Sequence, residues 1–125
     1  MAFLFFISYH ATLAILSAKR EYEVLLSEYR RKAESDIKNG LIAYETAGMP
    51  ILLDSVVQAR EDKIDSLRRS YGLATRNMGC LITAPLLKAQ DEYKLLTAPY
   101  LNRRNGLGWQ QRMDEQIKSI RKGQF

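Results

Sequence analysis

The cysteine and the histidine are the side chains whose chemistry most readily serves catalysis, and the chain has one of each. A thiol nucleophile needs a nearby base that forms its thiolate, yet Cys80 lies seventy positions from His10. We therefore interpret Cys80 as a small buried residue beside Gly79, and His10 as a side chain hydrogen-bonded to a neighbouring subunit or lying near lipid headgroups. One cysteine and one histidine also exclude a disulfide framework and a structural zinc site within the chain.

The remaining polar motifs do not combine into a catalytic site. Gly106-Leu107-Gly108 resembles the start of a dinucleotide-binding loop, but Gln111 occupies the position of the third glycine. Asp62 and Asp65 lie among basic neighbours, which favours ordinary ionised acids over a tuned acid–base pair. We predict that the protein is not an enzyme and that it has no catalytic residue, no metal site and no cofactor.

The basic character of the protein is concentrated at its C-terminal end. Residues 101–125 hold six basic and two acidic side chains, a balance of +4 within a total charge of +5. The sequence therefore predicts contact with an anionic surface, either an acidic protein or lipid headgroups. Nucleic acid is a weaker alternative partner, because no aromatic platform is interleaved with the basic residues. The predicted contact residues are Arg103, Arg104, Arg112, Arg121 and Lys122.

The N-terminal segment is the most unusual part of the chain. Residues 2–18 carry no charged side chain, and Lys19 and Arg20 follow at once. As a helix this segment is about 26 Å long, close to the lower limit for crossing a bilayer. A chain of this size has few other elements that could cover the apolar segment. We therefore expect other molecules to cover it. We expect the exposed face to include Phe3, Phe5, Phe6, Leu13 and Leu16.

Three interpretations of residues 2–18 remain open. The segment is a membrane-inserted helix, a helix buried against partner protein, or a cleaved signal peptide. The absence of a basic residue before the apolar run argues against the signal peptide. If the helix spans a membrane, Lys19 and Arg20 place the rest of the chain on the cytoplasmic or matrix side.

Helical periodicity extends through most of the chain after residue 18. The spacing of apolar residues predicts one helix over 3–46, with only a bend at Asn39-Gly40. The helix-terminating residues in Gly48-Met49-Pro50 predict a short turn, followed by a second helix that packs antiparallel on the first. The predicted packing stripe of this hairpin consists of Tyr22, Leu26, Tyr29, Ile37, Leu53, Val57, Ile64 and Leu67.

The later elements are less sharply marked. The pattern does not decide whether 51–96 is one broken helix or two. Ala98-Pro99 predicts a helix end, residues 102–108 a loop, and residues 109–122 a final amphipathic helix.

These features together predict an all-α fold: a long N-terminal helix, an antiparallel helical hairpin and a short C-terminal helix. The expected regions are 1–18, an apolar helix; 19–100, the hairpin; and 101–125, the basic loop and last helix. We expect a structural subunit of a multiprotein complex, held by its N-terminal helix in a membrane or against membrane-buried partners. A virion protein of a tailed phage, internal or ejected, is one alternative. A soluble coiled-coil adaptor that binds an acidic partner or nucleic acid is another.

Overall fold

The computed structural model describes residues 2–48, 53–80 and 82–123, and side chains from Ser8 onward. Within these residues the chain forms four helices and two strands. They are α1 (Ala2–Asn39), β1 (Ile42–Thr46), α2 (Ser55–Ser70), β2 (Leu73–Asn77), α3 (Ala84–Asn105) and α4 (Trp109–Arg121). The prediction of a mainly helical protein is confirmed.

The first helix ends earlier than the periodicity predicts. Gly40 has a φ of 76°, a left-handed conformation that glycine adopts without steric cost. Its N–H bonds the carbonyl of Ile37 at 3.2 Å, and the N–H of Leu41 bonds that of Asp36 at 3.2 Å. These bonds form the glycine-terminated helix end known as a Schellman motif. The prediction of one helix over 3–46 is therefore wrong, because Gly40 terminates the helix and does not merely bend it.

The two strands form a small parallel sheet. Ile42 is paired with Leu73 and Thr46 with Asn77, without a break in register. Parallel neighbours require a crossover, and α2 supplies it, with Asp54 accepting a hydrogen bond from the N–H of Val57 at its start. The sheet corrects the all-α prediction. Tyr44 of β1 lies seven positions after Ile37, in helical phase with it, so the spacing did not indicate a strand.

The two longest helices lie side by side and run in the same direction. The Lys88 ammonium lies 5.8 Å from the centre of the Tyr22 ring, and Arg30 pairs with Glu92 at 3.5 Å. Contacts thus advance along both helices together. After α1, the strand β1 runs back along that helix, and its Ala43 N–H donates a hydrogen bond to the Tyr93 hydroxyl of α3. The antiparallel helical hairpin is not confirmed: α1 packs chiefly on α3, and 51–96 contains two separate helices.

The third helix continues through the proline that was expected to end it. Pro99 lies inside α3, and both Leu95 and Pro99 are exposed. Water can therefore bond the Leu95 carbonyl that the missing proline N–H leaves without its helical partner. The predicted loop over 102–108 is correspondingly reduced to Gly106–Gly108, and residues 102–105 belong to α3.

The core lies where the sheet meets the helices. Ile42, Ile64 and Leu101 are completely buried and come from β1, α2 and α3. α4 covers α2 with one face, and its buried Trp109 lies 6.1 Å from the Tyr71 ring. The buried apolar set is Tyr29, Ala33, Ile42, Ile64, Leu73, Ala89, Tyr93, Leu101, Trp109, Met113, Ile117 and Ile120.

Candidate functional site

A cluster of polar side chains joins α1, β1 and α3, and we call it the Glu45 cluster: Tyr29, Lys32, Glu45 and Gln90. The Glu45 carboxylate is almost fully buried, with its side chain 3% exposed. It accepts hydrogen bonds from the Tyr29 hydroxyl at 2.5 Å, the Lys32 ammonium at 2.5 Å and the Gln90 amide at 3.1 Å. Three donors from two helices therefore hold one carboxylate on the strand.

This arrangement shifts the pKa values of Glu45 and Tyr29 in opposite directions. Burial alone would raise the pKa of Glu45, but the bonds from Lys32, Tyr29 and Gln90 outweigh it and hold the pKa below its ordinary value. Burial, reinforced by the Glu45 carboxylate, raises the pKa of Tyr29. An ionised, fully bonded carboxylate is a poor proton acceptor, and a tyrosine with a raised pKa is a poor nucleophile. The geometry suits a structural cross-link.

A second tyrosine extends the cross-link. The Tyr93 hydroxyl donates to the Asp36 carboxylate at 2.6 Å and accepts the Ala43 N–H at 2.9 Å. Burial and the bond to Asp36 raise the pKa of Tyr93. The Lys32 ammonium lies near both aromatic rings, 5.4 Å from the centre of Tyr29 and 5.7 Å from that of Tyr93, and the two rings pack edge to face with their centres 6.4 Å apart.

The sequence did not indicate these residues because their partners are far apart in the chain. Glu45 was expected on a helix, where its neighbours would lie three or four positions away. One signal was available: Glu45 is the lone acidic residue in the β-prone run Ile-Ala-Tyr-Glu-Thr.

The N-terminal part of α1, which we call the arm (residues 2–21), projects beyond the body. Every described side chain from Ser8 to Glu21 is exposed. Leu13 and Leu16 are 45% and 57% exposed, and Ile15 is 68% exposed. Phe3, Phe5 and Phe6 lie on the same helix, but their side chains are outside the described residues. Over the described portion of the chain, no helix combines the length and apolarity needed to cross a bilayer.

An open groove of about 680 Å³ lies at the base of the arm. α1 forms one wall and the start of α3 forms the other. Val24, 54% exposed, and Leu25 supply apolar surface from α1, and Pro85 supplies it from α3. Arg20, Glu21 and Glu28 border this surface with charge of both signs. The base of the arm is thus an apolar depression with a polar rim, the composition of a docking surface.

The predicted packing stripe is only partly brought together. Tyr29 and Ile64 are buried, whereas Leu53, two positions before α2, is 40% exposed. The other members are half-buried against the core: Tyr22, Leu26, Ile37, Val57 and Leu67.

The basic residues at the C-terminal end divide into two groups. Arg104 donates to the carbonyl of Ser70, and Arg112 donates to those of Leu107 and Asn105. These two guanidinium groups brace loops of the body. All five predicted contact residues are exposed, including these two; the other three are Arg103, Arg121 and Lys122.

Neither Cys80 nor His10 lies next to the Glu45 cluster. Cys80 is exposed, which corrects the expectation of a buried thiol, because the chain after β2 runs over the surface. His10 lies on the exposed arm, with its ring 5.9 Å from that of Tyr9. In the described part of the chain, no group of three histidine, cysteine, aspartate or glutamate side chains could hold a metal ion.

Comparison with protein-family models, curated proteins and solved structures found no match to this chain. The function of the chain is therefore inferred from its own sequence and structure.

Proposed function

We propose that this protein is a non-enzymatic structural subunit of a larger assembly, attached through the arm to a membrane or to partner protein. The observation that carries the proposal is the exposure of an uncharged helix. Residues 2–18 have no charged side chain, yet every described side chain from Ser8 to Glu21 is exposed. An apolar surface of this length is costly in water and is normally covered in the functional state.

The total surface of the chain supports the same proposal. The chain exposes 9426 Å², whereas a compact monomer of 14.4 kDa exposes about 6,800 Å². The excess of about 2,600 Å² is more than one partner contributes to a standard protein interface, about 800 Å².

The body has features expected of a rigid platform for such an attachment. The Glu45 cluster ties α1 to β1 and α3 about two to three helical turns beyond the arm, so that α1 leaves the body in a defined direction. The basic side chains of Arg103, Arg121 and Lys122 are exposed on the body and are available for an anionic partner surface.

Crosslinking mass spectrometry on the native source tests the proposal. Lys19 lies at the base of the arm and Lys63 on the body, and both are exposed. We expect Lys19 to crosslink to other polypeptide chains, or the protein to sediment with membranes until detergent is added, with Lys63 as the comparison site. Co-purification with DNA-filled particles without detergent would indicate the virion alternative. A detergent-free monomer with no intermolecular crosslink from Lys19 would contradict the proposal.

A further inference from the structure

We propose that the arm pairs with the arm of a second copy of this chain, in an antiparallel, two-fold symmetric dimer. This inference deepens the proposed function, on which it rests, by naming the first partner of the arm. It begins with a stripe on α1: Tyr9, Leu13, Leu16 and Arg20 are exposed and are separated by intervals of four, three and four. That alternation is the seam of a two-helix coiled coil.

The stripe lies on the side of α1 that faces away from the body. At 100° per residue it falls roughly opposite the side on which Leu25, Tyr29 and Ala33 pack into the core. A second helix can therefore lie along Tyr9, Leu13 and Leu16 without touching α3, which begins beside Arg20 and Val24. Val24, also exposed, lies near the same line and opens into the groove at the base of the arm.

An antiparallel register makes this stripe complementary to itself. When Leu13 faces Leu16 of the second copy, Leu16 faces Leu13, and each Tyr9 faces an Arg20. The apolar side chains then form the centre of the contact, and a guanidinium lies over each tyrosine ring at either end, a favourable cation–π arrangement. Self-complementarity of this kind is what a two-fold symmetric interface requires.

Charge also favours the antiparallel direction. In a parallel pair Arg20 would face Arg20, and Glu23 would lie beside Glu23. The antiparallel register separates the two Arg20 positions by about 16 Å along the axis, from eleven residues at 1.5 Å each. It also brings the N-terminal end of each arm, the positive end of the helix dipole, to Glu28 of the other copy.

The proposed contact runs along most of the arm. In this register residues 5–24 of the two copies overlap over about 30 Å. The turn of helix that contains Phe5 then lies opposite Val24, at the mouth of the groove. Within this overlap every described side chain from Ser8 to Glu21 is exposed, and none of them belongs to the core of the body.

Two variants that introduce carboxylates into the arm test the stripe. We expect Leu13→Glu/Leu16→Glu to place carboxylates opposite one another in the dimer and to weaken it about a hundredfold or more. The matched control, Ala11→Glu/Ala14→Glu, adds the same charge at the same spacing on the other side of the arm and retains the dimer. The measurement is the mass of the full-length chain by sedimentation, with and without mild detergent.

The direction of pairing is tested by electron paramagnetic resonance. In a Cys80→Ser background, a spin label at Ser27→Cys lies near the line of the stripe. The antiparallel register places two such labels about 40 Å apart, whereas a parallel pair places them about 10–15 Å apart.

The outcomes separate this inference from the proposed function. A dimer that only the Leu13/Leu16 variant dissociates, with the long label distance, supports the inference. A parallel distance, a trimer or higher oligomer, or equal loss in both variants overturns it. A wild-type chain that is monomeric in detergent but binds lipid vesicles overturns the dimer and leaves the proposed function standing. A monomer in plain buffer that binds no vesicle and no other chain overturns both.

Discussion

The C-terminal half of α1 is rich in charged side chains and still supplies core residues, whereas the N-terminal half carries no charge before Lys19 and buries none of its described side chains. Tyr29 and Ala33 are buried because β1 and α3 lie against them. Ile15 is exposed because α3 begins only beside the base of the arm. Burial of a side chain in this protein therefore depends on whether another helix or strand packs against it, and not on the hydrophobicity of its own segment.

The largest expected contrast between body and arm is in core packing. We expect Leu101→Ala to lower the free energy of unfolding by about 2–5 kcal/mol, because the side chain is completely buried. Ile15→Ala, 68% exposed and away from the proposed dimer stripe, is expected to change it by less than about 0.5 kcal/mol. Urea unfolding followed by the fluorescence of buried Trp109 measures both. An equal loss for Ile15→Ala would show that the arm is part of the cooperative body.

The next largest contrast is expected between the buried carboxylate of Glu45 and the exposed one of Glu23. We expect Glu45→Gln to lower the free energy of unfolding at neutral pH by about 2–3 kcal/mol, because the charge-assisted bond from Lys32 is weakened. Glu23→Gln, an exposed acid near the base of the arm, serves as the control and changes little.

The pH dependence of the same variant identifies the cause. The pKa of Glu45 is lowered in the folded protein, so its stabilisation is complete above the ordinary carboxyl pKa and is lost as pH falls through the folded value. The difference between wild type and Glu45→Gln should therefore shrink on acidification. A difference that is constant from neutral pH to acid would assign the effect to packing.

Glycine conformation provides a smaller contrast, within the body. Gly72 has a φ of 77°, and a Cβ there would lie 2.9 Å from the Arg104 guanidinium. We expect Gly72→Ala to cost about 1–2 kcal/mol from backbone strain, plus the displacement of Arg104. Gly79, with a φ of 83° and nothing within 4 Å of its Cβ position, isolates the strain alone. Equal losses in thermal unfolding would mean that Arg104 moves away without cost.

The smallest expected effect distinguishes the two groups of basic residues. Arg104→Ala removes the bond to the Ser70 carbonyl and should cost about 0.5–1.5 kcal/mol. Arg121→Ala alters an exposed side chain and should leave stability within about 0.5 kcal/mol. Chemical denaturation measures both. A stability loss in Arg121→Ala as large as that in Arg104→Ala would contradict the division.

Local patterns were sufficient for the features that depend on neighbours in sequence. Helical spacing indicated α1 and α4, and the absence of charge over 2–18 identified the arm. Local patterns failed at Gly40 and Pro99, where the decision depended on surroundings. Gly40 ends α1 where β1 turns back along it, and Pro99 is tolerated within α3 because it faces solvent.

The sequence by itself determined the helical character, the uncharged arm and the basic C-terminal end, since composition and periodicity are local properties. Only the tertiary structure decided that 42–46 and 73–77 are paired strands, because each strand takes its hydrogen bonds from the other across 31 positions of chain. It also decided that Glu45 meets Tyr29, Lys32 and Gln90. Those hydrogen bonds require β1 to run back between two parallel helices, and the spacing of residues in the sequence does not indicate that reversal.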